Sequence, residues 1–179
     1  MMVTFLQLKF ARAKSVTPPL DRDNLPTAAI IVPCFNEEKG LAHTLESLLA
    51  LDYPEDKLEI IVVDDGSRDN TLAIAQTFTG NPRIRVFHKE NGGKHSAMNY
   101  ALAHTEATLI GCLDADSTVA PDALLQIAPV FQNERVAAVT PGIFIKKPAT
   151  MLQHMQNAEY RLSLFNRFTL AALDRKSVV

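Results

Sequence analysis

From Ala28 onward the chain alternates short apolar runs with segments whose apolar residues recur at helical spacing. Ala28 to Val32 is continuously apolar, as a strand buried on both faces should be. After Pro33, the set Leu41, Leu45, Leu48 and Leu49 predicts a helix. Leu58 to Val63 reads as a second strand, and Asp69 or Asn70 is placed to cap a helix over Leu72 to Phe78. Ile84 to Phe87 is a short third strand. Gly92-Gly93 then opens a helix with Ala97, Met98, Ala101 and Leu102 on one face, and Thr108 to Leu113 is the fourth strand. Pro121 suits a first helical position. Leu124, Leu125, Ala128 and Phe131 give that helix its stripe, and Val136 to Thr140 is a predicted fifth strand.

Repeated strand and helix alternation predicts an α/β fold, with a mostly parallel sheet and helices on both faces. Ligands of such sheets bind beyond the carboxyl ends of the strands. The polar clusters fall there: Asn36-Glu37 after the first strand, Asp64-Asp65 after the second, Asn91 to Lys94 after the third and Asp114 to Asp116 after the fourth. Ala149 to Leu173 reads as one long amphipathic helix with Met151, Met155, Ala158, Leu162 and Phe165 on a face. Residues 1–27 read as a leader and a linker, Ser15 to Pro26 being polar with three prolines. The leader reads either as a frayed segment or as a weakly basic amphipathic piece near a membrane surface.

The length of 179 residues is that of one domain, and a formal charge of −2 offers no polybasic field to gather nucleic acid. Cys34 and Cys112 stand outside any C-x-x-C spacing, so the expected setting is reduced and intracellular. No apolar run reaches the ~18 residues of a membrane span.

Hard divalent cations want oxygen ligands, and Mg²⁺ is often held by one or two carboxylates plus substrate phosphates. The pair Asp114-Ala115-Asp116 at a strand exit has that chemistry, whereas Asp21-Arg22-Asp23 lies in the polar linker and reads as solvated charge. A turn approaching a helix is the alternative for Asp114 to Asp116 taken alone, and their position at the exit of an apolar strand favours the site. Asp64-Asp65-Gly66-Ser67 reads as a tight turn that can also aim a carboxylate at a base or ribose, and the two readings are compatible. Asn36-Glu37-Glu38 suits a helix start. Asn91-Gly92-Gly93-Lys94 puts mobile backbone and a cation at a helix N-terminus, a ready anion site. There is no G-x-G-x-x-G after the first strand and no P-loop, which removes dinucleotide binding and P-loop hydrolysis. The five histidines show no metal-ligand spacing.

Taken together, PCFNE (Pro33 to Glu37), VVDDGS (Val62 to Ser67) with Thr71, NGGKHSAMN (Asn91 to Asn99) and LDAD (Leu113 to Asp116) resemble the family 2 glycosyltransferases over about residues 28 to 145. Within that family the chain looks most like the membrane-bound processive synthases of the cellulose, chitin and poly-N-acetylglucosamine type. The resemblance implies a GT-A-type nucleotide-sugar-binding fold. It implies transfer of a sugar from a nucleotide-sugar, a UDP-sugar being the expected donor, to a saccharide or lipid-linked acceptor with inversion. Pro33, Asn36, Glu37, Asp64, Asp65, Lys94 and Asp114 are the implied donor-binding residues. Glu37 and Asp65 fall at the base region, Lys94 near base or phosphates, and Asp114 at ribose or metal. Asp114 and Asp116 are the implied ligands of Mg²⁺ or Mn²⁺. No nucleic-acid partner is expected. The whole protein is expected at the cytoplasmic face of a membrane.

The chain departs from the family's pattern in its acceptor half. The family's base is an Asp in a later E-D or T-E-D motif, followed in processive members by Q-x-x-R-W, and neither is present. After Asp116 the acidic residues are Asp122, Glu134, Glu159 and Asp174. Residues 174–179, Asp174-Arg175-Lys176-Ser177-Val178-Val179, read either as an ordinary basic tail or as a non-native one, since one of their back-translations matches a common sequencing-adapter read. The expectation is therefore a fragment: 28–173 as the donor-binding part of a glycosyltransferase domain, a non-native tail over 174–179, and a base beyond Leu173. A non-catalytic nucleotide-sugar-binding module is the alternative. A nucleotidyltransferase ranks last, because the loop after the first strand is acidic.

Overall fold

The structure, a computed structural model, describes residues 24–141, 148, 150–160 and 162. The chain divides into two compact units, Pro19–Pro129 and a second that includes Val130–Val179.

The first unit is built on four parallel strands: β1 (Ala28–Cys34), β2 (Leu58–Asp64), β3 (Ile84–His88) and β4 (Leu109–Cys112), in the order β3-β2-β1-β4. Helices α1 (Leu41–Leu49), α2 (Thr71–Thr77), α3 (Lys94–Leu102) and α4 (Ala123–Ile127) follow the strands in turn. Alternate residues of β1 and β2 serve opposite faces. Ile30, Val32, Ile60 and Val62 pack with Leu41, Leu45 and Leu48 of α1, Ala75 of α2 and Leu124 of α4. Ala29, Ile31, Ile61 and Val63 meet Ala97 and Ala101 of α3, where small side chains let the helix lie close to the sheet. Each fully buried Ile, Leu or Val contributes roughly 1.5–3 kcal/mol. Among the described residues, no helix is long and apolar enough to cross a membrane.

Several expectations change in detail. Asp69, rather than the N-cap residue Asn70, satisfies the start of α2, its Oδ1 accepting from Thr71 N at 3.0 Å. Helix α4 begins at Ala123, after Pro121, and passes into a short 3₁₀ turn at Ala128–Gln132. Leu25, counted in the linker by composition, is buried in the core, and Tyr53 Oη donates to the Pro26 carbonyl at 2.6 Å. Residues 136–140 form no strand, since an apolar run becomes one only through a ladder partner and none pairs with it among the described residues. In the second unit residues 151–160 and 162 are helical, with Met151, Leu152, Met155 and Leu162 exposed. Thr150 forms a bend, and the rest of the expected long helix, residues 1–23 of the leader and linker, and the 174–179 tail lie outside the described residues.

Pro33 decides where the sheet opens. The final β1–β4 bond runs from Leu113 N to the Ile31 carbonyl at 3.0 Å, and Pro33 has no N–H with which to continue that ladder. On its other side β1 stays paired through Cys34 and Asp64, with Asp65 N donating to the Cys34 carbonyl at 2.9 Å. The chain after β4 is thus free to diverge from β1 at the carboxyl end of the sheet.

Candidate functional site

The loops after β1 and β2 are tied together. Asn36 takes a left-handed backbone, φ 56°, a conformation that Asn tolerates better than most residues. Its N–H donates to Ser67 Oγ at 2.9 Å, and its side-chain oxygen accepts from Arg68 N at 2.9 Å. Glu37 N donates to Thr71 Oγ1 at 2.8 Å, and Glu38 accepts from both nitrogens of Asn70. Asp64 is fully buried, where its Oδ2 meets His88 Nδ1 at 2.7 Å and Ser67 N at 3.3 Å, while its Oδ1 has no hydrogen-bond partner among the described residues.

Asp65 shapes the next loop. Its Oδ1 accepts from Lys89 Nζ at 2.6 Å and Gly92 N at 3.1 Å, and its Oδ2 from Gly93 N at 2.7 Å. A carboxylate has about four acceptor positions. Gly92 N also reaches Oδ2 at 3.2 Å, a bifurcated contact, so three donor groups converge on this carboxylate. The glycine N–H groups read from the sequence as an anion site therefore bind an anion of the protein itself, and Asp65 holds the turn that starts α3. Burial pushes the Asp65 carboxyl up, but the Lys89, Gly92 and Gly93 hydrogen bonds outweigh it and hold the group below the usual carboxylate range.

The Asp114 to Asp116 loop is braced from α1. Thr44 Oγ1 donates to the buried Ala115 carbonyl at 2.8 Å, and Ser47 Oγ accepts from Val119 N at 3.2 Å. Gly40 lets the two segments touch, since a Cβ there would stand 3.0 Å from the Ala115 carbonyl oxygen and from Asp116 Cα. This brace turns both carboxylates outward. Asp116 accepts from Ser117 Oγ at 3.3 Å, and Asp114 Oδ1 is paired with Lys94 Nζ at the start of α3. That hydrogen bond raises the Lys94 ammonium above its ordinary value, against the opposing effect of desolvation.

A cleft of about 300 Å³ opens where Pro33 ends the β1–β4 ladder, lined by Pro33, Cys34, Phe35, Glu37, Asp65, Lys94, Ala97 and Asp114 to Asp116. Six of the eight residues expected at a donor and metal site border it: Pro33, Glu37, Asp65, Lys94, Asp114 and Asp116. Asn36 and Asp64 do not, because one stitches the loops together and the other lies inside the sheet end. Phe35, an exposed aromatic ring within the PCFNE motif, also forms part of the wall. Thr44 and Lys89 were missed altogether. Thr44 had a signal, since a hydroxyl within the apolar stripe of α1 must find a partner. Lys89 had none in the sequence, because its partner Asp65 lies 24 residues away. Cys34 is inert at this edge, its thiol pushed up to about 12 by burial and then by the charges of Asp64, Glu37, Asp69 and Asp65.

The chain matches the model of glycosyl transferase family 2 over residues 29–178. It is 35% identical over 138 residues to a beta-monoglucosyldiacylglycerol synthase of Nostoc sp., covering 75% of this chain and 29% of that protein. It is 34% identical over 134 residues to a poly-beta-1,6-N-acetyl-D-glucosamine synthase of Staphylococcus epidermidis, covering 74% of this chain and 32% of that one. The chain thus spans about a third of the length of these relatives. Among solved structures it is similar to a mannosyltransferase of Pyrobaculum calidifontis in complex with GDP-Man and Mn²⁺, at TM-score 0.62 and 27% identity over 82% of this chain and 43% of that one. It is also similar to TarS of S. aureus in complex with UDP-GlcNAc, at TM-score 0.53 and 27% identity over 67% of this chain and 38% of that one. The parallel sheet covered by helices on both faces is the α/β architecture of these GT-A glycosyltransferases. On its ordered motifs, its fold and the family match, this chain belongs to glycosyl transferase family 2.

Proposed function

We propose that the cleft binds a nucleotide-sugar, a UDP-sugar being the donor, and that the whole protein transfers the sugar with inversion to a saccharide or lipid-linked acceptor. The observation that carries this reading is the gathering of Glu37, Asp65, Lys94, Asp114 and Asp116 around one opening at the carboxyl end of a parallel sheet. The UDP-GlcNAc on TarS supports the choice of donor.

Asp114 and Asp116 fit Mg²⁺ or Mn²⁺. Both are outward-facing oxygen donors on a braced loop, and among the described residues no group of three His, Cys, Asp or Glu side chains could enclose a cation by itself. Such an ion takes one or two carboxylates and leaves its other positions to water and phosphate. When bound, it neutralises the charge that builds on the diphosphate leaving group. Lys94 adds a second positive charge beside those carboxylates. Phe35, Pro33 and Ala97 supply an apolar wall, and the Asp65 clamp keeps Lys94 on the cleft side of α3.

Inversion calls for a base on the acceptor side of the anomeric carbon. We assign the carboxylates lining the cleft to donor and metal binding, and Asp122 is tied to Gln126 Nε2 at 2.6 Å. We therefore place the base outside the described residues and expect this chain to bind donor without transferring sugar. The same observation favours a second reading, a non-catalytic nucleotide-sugar-binding module. Sugar transfer by a longer native chain separates the two.

Isothermal titration with UDP, with Mn²⁺ and with EDTA, tests the site. UDP should bind only with metal, and Asp116→Asn should weaken metal-dependent binding by roughly 1–3 kcal/mol, the cost of a lost charge-assisted contact. Equal UDP affinity in EDTA would overturn the proposal.

A further inference from the structure

The ion pair between Lys94 and Asp114 crosses the cleft from α3 to the D-x-D loop, and both side chains are about 60% exposed, at 61% and 60%. Their backbones are held. Gly93 is bonded to Asp65 at 2.7 Å, and the Ala115 carbonyl is bonded to Thr44 at 2.8 Å. The parts left free to rearrange are the two side chains. The oxygen that Lys94 holds also belongs to the carboxylate a cation would use, so ammonium and cation compete for one group.

Resting on the reading of the site above, we propose that Lys94 gates the D-x-D pair: it holds Asp114 until a diphosphate offers the ammonium another anion, so that cation and nucleotide enter together. Two carboxylates alone make a weak site for a divalent ion. Competition from Lys94 weakens it further in the absence of nucleotide. Once a diphosphate lies in the cleft, Lys94 turns to it, and the released Asp114 joins Asp116 around the ion. The order of binding is thus set by a side chain reaching from one element to another.

Mn²⁺ titrations of the full 179-residue chain, followed by the electron paramagnetic resonance of the free ion, test this with and without UDP. Without UDP, Lys94→Met should bind Mn²⁺ roughly two- to fivefold more tightly than the parent, the range for losing an exposed ion pair. With UDP present, the same variant should bind the nucleotide less tightly than the parent. Lys39→Met removes an equal charge from the exposed position next to Gly40, which lies against the D-x-D loop, and should leave Mn²⁺ affinity unchanged. An equal gain from Lys39→Met would reduce the effect to the general field and overturn the gate. Normal Mn²⁺–UDP binding by the parent with no gain in Lys94→Met would overturn the gate alone. No Mn²⁺ binding by the parent even with UDP would overturn the reading of the site and the gate with it.

Discussion

Thr44 Oγ1 donates a buried hydrogen bond of 2.8 Å to the carbonyl of Ala115, 71 residues away, and so fixes the middle residue of the D-x-D pair against helix α1. Thr44→Val keeps the shape but strands that carbonyl, at a cost of about 1–3 kcal/mol. Stability to urea and metal-dependent UDP binding should fall together, and Thr44→Ser should restore both. Unchanged stability in the valine variant would show that the carbonyl does not depend on Thr44.

Asp65 should govern the acid limb of stability. Its carboxyl is held below the ordinary value of 3.8, so its contribution is complete above that value and is lost as pH falls through the lower folded one. Urea unfolding followed downward from about pH 5 should show stability dropping below about pH 4. Asp65→Asn should be less stable at neutral pH by roughly 1–3 kcal/mol and flatter across the acid limb. Parallel acid limbs in the two proteins would assign that dependence to other carboxylates.

Gly66 has φ +76°, and a Cβ there would stand 2.9 Å from Asn91 N. Gly66→Ala should therefore cost at least about 1–2 kcal/mol from the left-handed backbone alone. Gly80 has open space around it, so Gly80→Ala is the matched control and should be close to neutral. Thermal melts of both variants check the contrast.

The two cysteines should react differently. Burial pushes both thiols up, that of Cys34 to about 12, but Cys34 is buried whereas Cys112 is exposed on β4 and open to reagent. Intact-mass analysis after iodoacetamide at about pH 8 should show one adduct, at Cys112. Cys34 should label only after unfolding. Two adducts on the native protein would mean that the end of β1 opens readily.

The order of strands and helices and the parallel α/β class were legible in the residues themselves, and the resemblance to the family pointed to six of the cleft residues. Apolar periodicity reports burial, and runs such as Ala28 to Val32 and Leu58 to Val63 have few ways to be buried on both sides. The motifs at strand ends pointed to the same edge for a reason of topology: parallel strands bring all their carboxyl ends to one side. The run at 136–140 shows the limit of that logic, since apolar character does not supply a ladder partner.

What each polar group does at that edge was decided in three dimensions. Asp64 and Asp65 are neighbours with the same chemistry, yet one is sealed under His88 and the other clamps Lys89 and the glycine turn. Nothing local separates them, because their partners come from other strands and loops. Lys94 and Asp114 likewise stand 20 residues apart and meet only because α3 and the end of β4 border the same opening. Periodicity along a chain records which side of an element is buried, whereas the pairing of charges depends on distances between elements that only the packed sheet sets.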